Sequence, residues 1–109
     1  MRRFLILSVL ALGLAVPSLA AASVRLVSIT SPINAGGYET MTVAVSPASS
    51  CSIVVNYKSG PSRAAGLNSR RGNRISWTWM VGTRTTPGRW GIDVSCRSAR
   101  TLHTSFAVR

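Results

Sequence analysis

Acidic residues are almost absent from this chain: Glu39 and Asp93 stand alone against 13 arginines and lysines, and the formal net charge is +11. Histidine occurs once, at His103, and cysteine twice, at Cys51 and Cys96. Each scarcity excludes a class of chemistry. Calcium sites want several carboxylates, and a zinc site needs more nitrogen and sulfur ligands than this chain holds. Acid–base catalysis by paired carboxylates would fall to Glu39, beside a turn, and Asp93, on the outward side of its strand. Asp93 and His103 could be drawn into a triad with Ser95 or Ser105, but flat sheet faces lack the pocket and oxyanion donors such a triad needs. The expectation is therefore a non-enzyme with no catalytic residues, no metal and no cofactor. Helical periodicity is also missing beyond the N-terminal segment.

The N-terminus has a different character. Arg2 and Arg3 precede an apolar run from Phe4 to Val16, and Pro17-Ser-Leu-Ala-Ala-Ala22 supplies small residues three apart. That order reads as a secretory signal peptide over residues 1–22, cleaved after Ala20 or Ala22. The apolar run is shorter than the roughly 18 to 20 residues that span a bilayer. A twin-arginine signal fits less well, because Phe4 follows Arg3 directly, and no cysteine marks a lipoprotein cleavage site. Membrane contact is expected only through this segment, before cleavage. Losing Arg2 and Arg3 lowers the charge by two, to +9, so the basic character belongs to the domain at residues 23–109.

Export places Cys51 and Cys96 in an oxidising compartment, secreted, periplasmic or at the cell surface, where disulfides persist. In Cys51-Ser-Ile-Val-Val-Asn-Tyr57 and Trp90-Gly-Ile-Asp-Val-Ser-Cys96, each cysteine shares its parity with the large apolar residues, so both should point into a core. A bridge enclosing about 46 residues contributes about 4 kcal/mol in the loop-entropy model.

Alternation with period two runs through the rest of the chain. Val24 to Ile29 is the first strand expectation, ended at Ser31-Pro32, and Asn34-Ala-Gly-Gly37 is a turn. Glu39 to Ser46 follows, with Met41, Val43 and Val45 on one side. Ser46-Pro-Ala-Ser-Ser50 should end it, making a hairpin with Cys51 to Lys58. From Ser59 to Asn73 the pattern lapses, which implies either a short edge strand at Ala64 to Leu67 or a functional loop. Arg74 to Val81 turns Ile75, Trp77, Trp79 and Val81 inward. Trp90 to Cys96 does the same with Trp90, Ile92 and Val94, and Arg100 to Val108 with Leu102, Phe106 and Val108. All three tryptophans thus have inward parity, which favours core packing over a carbohydrate platform. Six or seven such strands predict an all-β, antiparallel sandwich with one cross-sheet disulfide, an open barrel being the second reading.

The residues Cys51-x-Ile-x-Val-x-Tyr57, Ser59-Gly-Pro-Ser62, Ala65-Gly-Leu67, Ile75-Ser-Trp-Thr-Trp79, Val81-Gly-Thr83 and Thr86-Pro-Gly-x-Trp90-x-Ile-x-Val-x-Cys96 resemble a bacterial family of secreted immunoglobulin-like domains. The likeness runs from about Thr42 to Val108. It implies an immunoglobulin-like sandwich serving as an accessory or adhesive module of an exported or surface protein. Two features depart from antibody-type domains: Trp77 and Trp79 come late in the chain, and Val94 stands where a tyrosine would precede the second cysteine.

Two functions follow as expectations. One is a secreted structural, adhesive or protein-interaction module with an unidentified protein partner at the cell surface. The other is a basic binder of anionic polymers: acidic polysaccharide, cell-wall polymer, lipid headgroups or extracellular nucleic acid. Its contacts would come from Lys58, Arg63, Arg70, Arg71, Arg74, Arg84 and Arg89, since guanidinium forks suit bidentate contact with phosphate, sulfate or carboxylate. A dedicated nucleic-acid target is not expected, because the Ser59 to Asn73 stretch has no aromatic residue to stack on bases.

Overall fold

The computed structural model describes residues 22–97 and 99–109, so the expected signal peptide lies outside the described residues except for Ala22. Six strands follow one another: β1 (Ser23–Ile29), β2 (Tyr38–Tyr57), β3 (Gly60–Pro61), β4 (Arg70–Met80), β5 (Gly88–Cys96) and β6 (Leu102–Val108). They form one antiparallel sheet in the order β1-β2-β5-β6, with β3 and β4 also paired to β2, and this sheet curls into a half-barrel.

The expected hairpin at Ser46 to Ser50 does not exist. Residues on both sides of it belong to the single 20-residue strand β2. Pro47 is tolerated there because it falls in a gap: pairing with β1 ends at Ser46, and the register with β4 shifts between Ala44 and Ser49. A proline lacking its N–H therefore removes no ladder bond. The first half of β2 pairs with β1 and β4, the β4 ladder resumes from Ser49 to Cys51, and Cys51 to Asn56 pairs with β5. Hydrogen bonding thus continues through β2 from one half of the sheet to the other, where two separate sheets had been expected.

The disulfide forms, but it is not cross-sheet. Cys51 and Cys96 are directly opposed in the β2–β5 register, with Cα atoms 4.1 Å apart. That separation fits facing residues of neighbouring antiparallel strands, near the roughly 4.5 Å of a non-hydrogen-bonded pair. The bridge therefore staples two adjacent strands.

The inward parities hold. Met41, Val43, Val45, Ile53, Val55, Ile75, Trp77, Trp79, Val81, Ile92, Val94, Phe106 and Val108 are all buried with the two cysteines. Trp79 meets Phe106 edge-on at 6.0 Å, so the curl brings β4 across the core to β6, with which it shares no ladder. Tyr57, Trp90 and Leu102 are only partly buried and pack at the rim. Each indole N–H has a partner: Trp77 donates to the Asn68 carbonyl, Trp79 to the Tyr57 hydroxyl and Trp90 to the Thr86 carbonyl.

The Ala64 to Leu67 edge strand is absent; the short strand lies earlier, at Gly60–Pro61. The Ala64 to Leu67 segment instead runs irregularly against β4. Gly66 has φ +98°, and a Cβ there would collide with the Thr78 carbonyl oxygen. Only glycine lets the backbone approach β4 so closely.

Candidate anion-binding surface

Arg70 and Arg71, expected in a loop, open β4, because that strand starts four residues before Arg74. Together with Arg74, Ile75 and Ser76 they line a shallow hollow of about 400 Å³. Lys58 and Arg84 lie elsewhere, in a cleft of about 550 Å³ between the end of β2 and the β4–β5 connection, whose walls include Tyr57, Ser59, Thr85 and Thr86. Arg89 is exposed on β5 and donates to the Ser105 hydroxyl at 3.0 Å. Arg63 is exposed in the connection after β3. The seven candidate cations are thus divided, with three in one hollow and two in one cleft.

The charge of this surface is uncompensated. Among the described residues no arginine or lysine lies within ion-pair distance of a carboxylate; the one ion pair is His103 Nδ1 with Asp93 Oδ1 at 2.6 Å. That pair sits on the outer face of β5 and β6, where Asn56 also donates to Asp93. Neither serine considered for a triad bonds to His103: Ser105 is held by Arg89 and Ser95 by Thr101.

The other acid, Glu39, lies just after the turn that precedes β2, as expected, and is fully buried on the inner face of that strand. It has the same parity as Met41 and Val43. Its Oε2 accepts from the Thr30 N–H at 2.9 Å, while Oε1 has no hydrogen-bond partner. Removal from water pushes its pKa up from 4.5 to about 7, against the opposing pull of backbone hydrogen bonds from Thr30 and Thr40. Tyr57 is raised as well, first by burial, with the Trp79 hydrogen bond lowering it and the nearby Glu39 charge raising it.

Arg25 was not among the seven candidates. Arg25 of β1 stands opposite Ala44 of β2, and Ala44 stands opposite Arg74 of β4, so the two arginines flank one small residue in a single row. Alternation shows that Arg25 points outward, but only the three-strand register reveals what it stands beside.

No protein-family model and no curated protein matches the chain. Among solved structures, a similar one is the Pseudomonas fluorescens alkylpurine DNA glycosylase AlkC bound to DNA containing an abasic site analog. The identity is 15%, the TM-score 0.48, and the match covers 83% of this chain and 31% of that one. The structural, adhesive or protein-interaction module expected from the sequence has no counterpart in this neighbour, a DNA-bound enzyme, and is not taken further. At this level of similarity the likeness carries no argument about what the present chain binds or does.

Proposed function

We propose that this chain is a non-enzymatic all-β domain that binds anionic polymers through guanidinium groups its own fold leaves unpaired. The observation that supports this is the charge arrangement: Arg70, Arg71 and Arg74 share one hollow on β4, and no carboxylate pairs with any of them. Arginine forks in that state are free for bidentate contact with phosphate, sulfate or carboxylate. A disulfide is consistent with an extracellular location, and the N-terminal segment adds to a reading of export by a bacterium, to the periplasm, cell surface or medium. On the same reading the half-barrel is a relative of the secreted immunoglobulin-like sandwich in which β2 crosses between the two layers.

Electrostatic binding of this kind weakens steeply with salt. The test is retention on immobilised heparin and duplex DNA across a salt series. Replacing Arg70, Arg71 and Arg74 by alanine should reduce the slope of log affinity against log salt for DNA by about 2 to 3. Retention no greater than that of an arginine-matched scrambled peptide, or an unchanged slope in the triple variant, would refute the proposal.

A further inference from the structure

We infer that the outer face of β1, β2 and β4 is a binding platform for an acidic polysaccharide, an inference that rests on the proposed binding of anionic polymers and names the polymer. The face is built in rows by the strand register. Arg25, Ala44 and Arg74 form the first, Ser28, Thr42 and Ser76 the second, Thr40 and Thr78 the third, and Tyr38 and Met80 the fourth.

Each row offers a different contact. With strands about 4.8 Å apart, the two guanidinium stems rise about 10 Å from one another, and alanine between them leaves an open slot. Both arginines are exposed and neither is paired with an acid. The next two rows are hydroxyls joined in pairs, Thr42 to Ser76 at 2.7 Å and Thr40 to Thr78 at 3.0 Å. Each pair consumes one hydroxyl proton, which leaves the second proton and several lone pairs directed at solvent. The last row ends in Tyr38, which is 67% exposed, beside the exposed Met80.

From the arginine row to Tyr38 is six residues of β2, or about 20 Å, a track long enough for several sugar units. No acid interrupts it, since Glu39 faces the core and Asp93 lies on β5. A uronate or sulfated sugar matches this order of groups: its anion fits the arginine slot, its hydroxyls the Ser/Thr rows, and its C–H face the Tyr38 ring. Nucleic acid matches less well. A polyphosphate backbone calls for cations along its whole path, and single strands call for several stacking rings, whereas this face has cations at one end and one ring at the other.

The test compares the affinities of three probes, alginate as the polyuronate, inorganic polyphosphate and a DNA duplex, for wild-type protein and exposed-face variants. Tyr38→Ala should weaken alginate binding about tenfold and leave polyphosphate binding unchanged, while Tyr38→Phe restores it. Thr42→Val should also weaken alginate alone, and Arg25→Ala should weaken both. Near-UV circular dichroism of each variant reports retention of the fold. An alginate affinity indifferent to Tyr38 and Thr42, or equal losses on all three probes, would overturn the platform and leave general anion binding by β4 standing. Failure of the wild-type protein to bind any probe would overturn both.

Discussion

Burying Glu39 should make the stability of this fold fall as pH rises through the weakly acidic range. The carboxyl is fully enclosed, keeps one oxygen without a partner, and has its pKa raised from 4.5 to about 7. In the unfolded chain it ionises above about 4.5, so between that pH and about 7 the folded state holds a proton that the unfolded state has lost. The stabilisation is complete below 4.5, declines across this window, and is gone above about 7. At about 1.4 kcal/mol for each pH unit of displacement, the loss comes to about 3 kcal/mol, a large share of the stability of a small domain. Urea denaturation followed by tryptophan fluorescence suits the measurement, because Trp79 is the register partner of Glu39. Glu39→Gln keeps the shape and an oxygen for the Thr30 N–H but cannot ionise, so its stability should be nearly flat where the wild type declines. Placing both proteins in a His103→Ala background keeps the exposed Asp93–His103 contact out of the comparison. Tyr57, whose pKa is raised above 10, stays protonated throughout the window. A wild-type stability that is level or rising between about pH 5 and about pH 7, or a Gln variant with the same decline, would refute the reasoning.

Other consequences are equally direct. Replacing Cys51 and Cys96 together by alanine should cost about 4 kcal/mol by chemical denaturation in the loop-entropy model, and a loss below about 1 kcal/mol would contradict it. Gly66→Ala should destabilise by about 1 to 3 kcal/mol, since its positive φ disfavours a side chain and the added carbon collides with the Thr78 carbonyl. Hydrogen exchange along β4 should rise in that variant, and unchanged protection there would show that the Ala64 to Leu67 segment does not seal the strand.

Alternation decided which side chains face inward, because successive residues of a strand point to opposite sides whatever the strand pairs with. Met41, Ile53, Trp77, Ile92 and Phe106 could therefore be assigned to the core from the letters alone, and the oxidised cysteines from their shared parity and expected export. The same rule puts Glu39 in step with Met41, although a carboxylate in a core runs against the ordinary cost of burying charge. Its elevated pKa resolves that conflict by letting it remain neutral. Parity carries no information about neighbours. Whether Pro47 ends a strand depends on whether its missing N–H was needed, and that depends on where the β1 ladder stops. Whether the disulfide joins two sheets or two adjacent strands depends on the β2–β5 register. The candidate site divides along the same line. The sequence by itself determined a basic, acid-poor domain with its arginines outside, since composition and period are local properties. Only the tertiary structure separated Arg84 from Arg70 and set Arg25 beside Arg74 across Ala44, because strands distant in sequence become neighbours through backbone hydrogen bonds that no single segment encodes.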